Sequence, residues 1–350
     1  MAQAKPSVTM VSGHCCTRVH KMAMPLYQKG YRINLVLNKY PTAFKGMYDT
    51  ILVYETNDHL WNAIKAIDAF TDIYHAHNEP NWFVSAIKEV SRKPVVLDWH
   101  DSFLLRNKRS MTNKYRIITE ERNNAFLADG FNFPCVPMKN EIFNEFKALR
   151  NKPHIVLHSY LPKQFYRWDV FEWMGGICYE GRVDLPNIKD DKKYGFFAYC
   201  VYEDLAVELK KRKIPFYLYT VSDKLFDWYK KHDLIVGGGR YAFDEMIKVI
   251  GRHDWGLIGN IDSHREWENS MPNKVFEYIG AQMPVVALNA KHPGKWVEDE
   301  GVGINIKTLD ELEEKWHLHE ELRNNLTKKR LDYCMENHIH KLEGLYGNFV

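Results

Sequence analysis

The sequence contains no Cys-x-x-Cys pair, no run of about eighteen apolar residues and no low-complexity tract. Each of these absences removes a class of protein. The six cysteines (15, 16, 135, 178, 200 and 334) are scattered, so they read as reduced thiols and offer no zinc framework. Cys15-Cys16 reads as loop and core packing. Without a long apolar run no membrane span is expected. The N-terminus, MAQAKPSVTMVSGHCC, lacks a charged region followed by a long apolar one, so no signal peptide is expected either. The expected location is the cytoplasm, with a peripheral place at the inner membrane face as the membrane alternative. There is no Gly-x-Ser-x-Gly elbow, no P-loop Gly-x4-Gly-Lys-Ser/Thr and no Gly-x-Gly-x-x-Gly after the first strand-like run. A kinase or a dinucleotide dehydrogenase is thereby disfavoured. Sixteen histidines invite a metal, but the pairs His75-Ala76-His77 and His338-Ile339-His340 lack a third ligand at defined spacing. Surface or core histidine is the expectation, with no metal and no cofactor.

What is present is 350 residues with 45% hydrophobic content, more than one typical core and enough for two domains. The net charge of +3 is unevenly spread. Residues 1–165 carry 22 Lys+Arg against 14 Asp+Glu, or +8, which leaves −5 for the rest. Such a field points the first half toward something anionic, a membrane surface, a phosphorylated acceptor or a nucleic acid, or toward a solvated basic face. Short β-branched runs recur between amphipathic stretches: VTMV (8–11), INLVL (33–37), TILVY (50–54), DIYHA (72–76), PVVLD (94–98) and HIVLH (154–158). These read as βαβ units with a parallel sheet covered on both faces. A second series follows the aromatic stretch near 159–174: GGICYEG (175–181), PFYLYTV (215–221), DLIVGGG (233–239), DWGLIGN (254–260), PVVAL (284–288) and GVGINI (301–306). Two Rossmann-like domains are expected, with ligands at the carboxyl ends of their strands.

The stretch NSMPNKVFEYIGAQMPVVAL (269–288) combines a helix start, a lysine and a carboxylate. If Pro272 and Asn273 open a helix from Lys274 to Ala281, the N–H groups of its first turn attract an anion. Lys274 adds a charge there. Glu277, one turn deeper, would repel a phosphate and suits a sugar diol instead. Together they describe the pyrophosphate and ribose of a nucleotide.

This segment resembles the donor-site signature of retaining GT-B glycosyltransferases of glycosyltransferase family 4, a Pro-x-Lys-x-x-Glu-Tyr segment ahead of a Pro-Val-Val strand. YEGRV (179–183), IVGGGRYAFDEMIKVIGRHDWGLI, DIYHAHNEP and VVLDWHDSF resemble other parts of that family in the order it requires. The resemblance covers about residues 8–306. It implies an α/β fold of GT-B type: two facing Rossmann-like domains, a cleft between them and a C-terminal crossover helix. The corresponding boundaries are 1–163 for the acceptor domain, 164–330 for the donor domain and 331–350 for the returning helix.

By the same resemblance, Arg182 neutralises the donor pyrophosphate with help from Lys274, beside Gly181 and Asn273. Glu277 holds the ribose, and the loop Gly237 to Arg240, with Gly238, cradles the base. His100 and Asp101 project over the sugar, giving His100, Asp101, Arg182 and Lys274 as catalytic candidates. Gly13 approaches the phosphates, and His14 the acceptor. Arg182 has a structural alternative, pairing with a neighbouring carboxylate, and His100-Asp101 has one in capping the next segment. The family's first glutamate falls on Asn269, with Glu268 one place off, so its contact with the donor sugar passes to Asn269 or is lost. Lys189, Lys192 and Lys193 compete for the second basic position. Such a site can stabilise the departing diphosphate without metal. The basic cluster with Arg106, Lys108 and Arg109 is the acceptor candidate, for a glycan or a lipid-linked saccharide at an anionic membrane. A nucleic-acid partner is less favoured, as in a glucosyltransferase acting on hydroxymethylated DNA bases. A GT-B binding protein that holds a nucleotide sugar or glycan without turnover is the non-enzymatic alternative.

Overall fold

The computed structural model describes residues 5–13, 16–41, 45–77, 82–106, 114–168, 172–185, 200–264 and 266–350. The chain divides into two compact units. The first takes the described residues up to Pro162 together with Met335–Val350, and the second takes Lys163–Cys334.

Among the described residues, the first unit holds seven parallel strands: β1 (Ser7–Ser12), β2 (Arg32–Leu37), β3 (Thr50–Val53), β4 (Ile73–His77), β5 (Val95–Asp98), β6 (Gly130–Phe133) and β7 (His154–Val156). Their order across the sheet is β3-β2-β1-β4-β5-β6-β7. The central strands are buried along their whole length, as in β1, β4, β5 and β6. That is why they read as continuous apolar runs rather than alternating ones. The second unit repeats the plan with β8 (Ile177–Glu180), β9 (Phe216–Tyr219), β10 (Gly237–Gly239), β11 (Trp255–Gly259), β12 (Val285–Leu288) and β13 (Gly303–Ile306). Its order is β10-β9-β8-β11-β12-β13. Three of the described helices start at a side-chain cap: Thr56, Ser222 and Thr308 each accept a backbone N–H from three residues on.

Some boundaries differ from the sequence reading. Of the run DLIVGGG only Gly237–Gly239 is strand, because Asp233 turns left-handed (φ 54°) to end the helix Asp223–Lys231. Gly238 needs its missing side chain: φ is 129°, and a Cβ would lie 1.9 Å from the Leu218 carbonyl oxygen of β9. The helix after β11 begins one residue before the expected start and spans Asn273–Gly280. The segment 331–350 is not one helix. Leu331 is exposed and lies in a 3-10 turn, Arg330–Tyr333, of the second unit. The buried Met335, Ile339, Leu342 and Leu345 belong to two short helices, Met335–His338 and His340–Tyr346, that pack in the first unit.

Each sheet has one point where strand order reverses, between β1 and β4 in the first unit and between β8 and β11 in the second. Open α/β sheets bind ligands at the carboxyl ends beside that point.

Candidate active site

At the reversal point of the second unit, β8 ends in Glu180 and the chain turns through Gly181 with φ 122°. A Cβ there would stand 3.3 Å from Lys274 Nζ, so only glycine leaves the lysine head its present place. Lys274 lies 4.7 Å above the Tyr179 ring and donates to Tyr179 Oη at 3.3 Å. Tyr179 Oη in turn donates to the Arg182 carbonyl at 2.9 Å, which closes the turn around Gly181. Burial raises the Tyr179 phenol well above its ordinary value, so the ring stays neutral beneath the ammonium. The helix Asn273–Gly280 starts at Pro272, which is extended and supplies no side-chain cap. Its positive end and Lys274 therefore converge on one spot. Glu277 is buried one turn further along.

Arg182 is half exposed, and its Nε lies 3.4 Å from Asp184, so the structural alternative is realised in part. Gly238 and Gly239 lie in the edge strand β10. Arg240 follows, exposed and 3.6 Å from Asp223. Asn269 closes the short helix Glu266–Asn269 and is half-buried. Sequence reasoning missed Tyr179, although an aromatic two residues before the glycine turn was a usable signal.

In the first unit the carboxyl ends of β1, β4 and β5 carry Gly13, His77 and Asp98. Asp98 is fully buried and accepts from Arg18 Nε (2.9 Å), Arg18 Nη2 (2.9 Å), Asn132 Nδ2 (2.8 Å) and His100 Nδ1 (3.0 Å). His77 Nδ1 is 3.0 Å from the same carboxylate. His75 stacks on His77 and bonds Tyr346 Oη at 2.7 Å. Burial lowers both His75 and His77. Asp101 lies 4.0 Å from His100 Nε2. In the helix Phe103–Arg106, Leu105 N–H donates to Ser102 Oγ and Leu104 N–H to Glu121. His14, Lys108 and Arg109, the Arg106 side chain, and Lys189, Lys192 and Lys193 lie outside the described residues.

Burial alone would push the Asp98 carboxyl up, but Arg18 first, then the hydrogen bond from His100 and the close approach of His77, hold it well below the carboxylate range. Arg18→Met is therefore expected to cost about 3–5 kcal/mol at neutral pH, the usual result of stranding a buried charge. The sign of the pH response also inverts. In wild type the folded value is depressed, so the stabilisation is present above the unfolded carboxylate value and is lost as acid carries the pH through the folded one. Without Arg18 burial raises the folded value, so the variant's deficit shrinks as the pH falls. Urea unfolding at neutral and acid pH checks both. An equal midpoint at neutral pH, or a deficit that grows in acid, contradicts the ion pair.

The architecture matches solved glycosyltransferases over nearly their whole length. Anabaena HepE, solved with UDP and glucose, superposes with a TM-score of 0.67 at 11% identity, covering 99% of this chain and 100% of that one. The fold is GT-B. AviGT4, a glycosyltransferase involved in avilamycin A biosynthesis, shares the GT-B architecture at TM-score 0.58 and 13% identity, with 98% of each chain covered. An α-glucosyltransferase solved with UDP-glucose and DNA containing an abasic site matches at TM-score 0.59 and 13% identity, covering 95% of this chain and 98% of that one. In sequence, residues 197–336 of this GT-B chain match the family model of the glucosyltransferase 3-like C-terminal domain. That stretch includes Gly238, Arg240, Lys274 and Glu277. No curated protein sequence matches the chain significantly. No helix among the described residues is long and apolar enough to cross a membrane.

Proposed function

We propose that the chain is a glycosyltransferase that moves a sugar from a nucleotide sugar to an acceptor hydroxyl with retention of configuration. The observation that carries this is the lysine head held against Gly181 at the positive end of the helix Asn273–Gly280. A diphosphate fits there, and Lys274, Arg182 and the helix end can stabilise its charge as it leaves. Glu277 takes the ribose hydroxyls, and the backbone of Gly237–Arg240 takes the base. Asn269 attends the sugar hydroxyls in place of a carboxylate. From the first unit, His100 and Asp101 are assigned to the transferred sugar by the family resemblance.

In the reaction, the bond from the anomeric carbon to the diphosphate oxygen breaks and a bond to the acceptor oxygen forms. The acceptor's proton passes to the departing phosphate, so no protein nucleophile is needed. Positioning supplies most of the rate. Because similar GT-B structures were solved with UDP or UDP-glucose, UDP sugars are the first donors to try. The acceptor class is a glycan or lipid-linked saccharide, met by the basic first half in the cytoplasm or at an anionic membrane face. A second reading, transfer to hydroxymethylated DNA bases, draws on the +8 charge of residues 1–165 and on the similarity to the DNA-bound glucosyltransferase. Duplex binding that does not weaken steeply with salt would count against it.

The test is nucleoside diphosphate release from a panel of nucleotide sugars, with and without lipid-linked glycans, soluble glycans or modified DNA. Acceptor-stimulated release from one donor is expected, cut by about a hundredfold or more in Glu277→Ala and Arg182→Ala. Saturable binding of a donor with no release would instead make the protein a nucleotide-sugar reader.

A further inference from the structure

Within the second unit, two tyrosines cross between β8 and the helix Asn273–Gly280 in opposite directions. From the helix, Tyr278 Oη accepts from the Glu180 N–H at 3.1 Å and donates to the Leu257 carbonyl of β11 at 3.1 Å. Gly256 makes room for its ring, since a Cβ there would lie 2.5 Å from two ring atoms of Tyr278. The helix is thereby tied to both strands that flank the reversal point. From β8, Tyr179 reaches the other way, to Lys274. Its hydroxyl has one proton, and the Arg182 carbonyl, which can only accept, takes it at 2.9 Å. A lone pair is therefore left for Lys274 Nζ, an ammonium that can only donate. Tyr202 packs against the Tyr179 ring at 4.2 Å between centroids, and both rings are buried.

Lys274 is half-buried, and among the described residues no carboxylate pairs with it. A salt bridge would hold the head as firmly but would also cancel its charge. The ring face and the neutral hydroxyl hold it and leave the charge for an anion. We propose that Tyr179 is a positioning residue for Lys274, holding the ammonium over the Gly181 turn with its charge uncompensated until a diphosphate arrives. The diphosphate rests on the glycosyltransferase reading, while the placement of the lysine does not.

The first test is a double-mutant cycle on the full chain, Tyr179→Phe with Lys274→Ala, read as kcat and donor KM. Phenylalanine keeps the buried ring and removes only the hydroxyl. Tyr179→Phe is expected to lower kcat for transfer about tenfold to a hundredfold, the worth of a hydrogen bond to a charged group, but by less than about twofold where Lys274 is already alanine. A role exerted only through the Arg182 carbonyl would lower kcat equally in both backgrounds, and that result overturns the proposal. So does an unchanged kcat in Tyr179→Phe. The second test needs no reaction. Reductive methylation with carbon-13 keeps the lysine charge, and the Lys274 signal is identified by its absence from Lys274→Ala. Methyl groups over a ring face resonate upfield, so a shifted Lys274 signal is expected that joins the other lysines in Tyr179→Leu. A wild-type Lys274 signal already among them overturns the placement. If no donor supports transfer but the shifted signal is present and lost with Tyr179, the positioning role stands and the glycosyltransferase reading falls.

Discussion

A chain ending at Cys334 is expected to lose the cooperative unfolding of its first unit while the second keeps its own. The residues removed are not a tail. Met335, Ile339, Leu342, Leu345 and Tyr346 are all at or below 2% exposure. At about 1.5–3 kcal/mol for each buried side chain, their loss is on the order of 10 kcal/mol, as large as the whole stability of an ordinary domain. Shape adds to area. Gly130 at the head of β6 has no Cβ because Phe349 and Leu345 fill that space, at 2.9 and 3.4 Å from where it would be. His338 stacks on Tyr160 at 3.9 Å, and Met335 N–H bonds the Leu161 carbonyl. Removing Tyr346 strips His75 Nδ1 of its 2.7 Å partner inside the sheet. Calorimetry should resolve two transitions for the intact chain and one for the truncated chain. Two transitions with unchanged midpoints after truncation would show that the returning segment is dispensable.

Lys274→Ala is expected to lower kcat/KM for transfer by about 10²–10³, the usual cost of deleting one preorganised donor at a developing anion. Stability should change by less than about 1 kcal/mol, because the side chain is only half-buried and its partners are a ring face and one hydroxyl. Lys274→Arg should recover little. The Nζ sits 3.3 Å from the position of a Gly181 Cβ, and a planar guanidinium needs more width than that turn leaves. Steady-state kinetics with the best donor decide it. A fall of less than threefold, at unchanged donor affinity, would remove Lys274 from the chemistry.

Much of the fold is legible in the sequence because a parallel sheet buried on both faces writes itself as apolar runs. β4, β5, β11 and β12 are such runs, and the helices Asn57–Ile67, Asp223–Lys231 and Leu309–Lys315 begin just after Thr56, Ser222 and Thr308, whose hydroxyls cap them. Strand ends are less legible. The isoleucine and valine of DLIVGGG look like strand, yet Asp233 turns left-handed ahead of them. Within the site, Gly181, Arg182 and Lys274 are visible because each lies in a local motif, and the structure brings Gly181 and Lys274 into contact. The Arg18–Asp98 pair is different in kind. Its partners are 80 residues apart, and nothing local to either one names the other. The available signal was weaker: a carboxylate closing the apolar run PVVLD, with a histidine pair in the run DIYHAH before it. The reading of His75 and His77 as surface or core histidines leaves both places open; the structure puts them inside, and neither alternative reveals Asp98.

The return of Met335–Val350 also has a meaning for chain order. The first unit is built from two stretches, and the chain enters and leaves the second unit between them. Near its beginning, Lys5 Nζ is 3.0 Å from Glu343 Oε1, and Lys29 pairs with the same glutamate. The two stretches therefore meet in space on the surface. A circular permutant that joins the segment after Glu343 to Lys5 through a short linker, and opens at Lys163, would place each unit in one uninterrupted stretch. The same core contacts would then form with a single passage between the units, which separates the geometry of this protein from the order in which its sequence happens to be threaded.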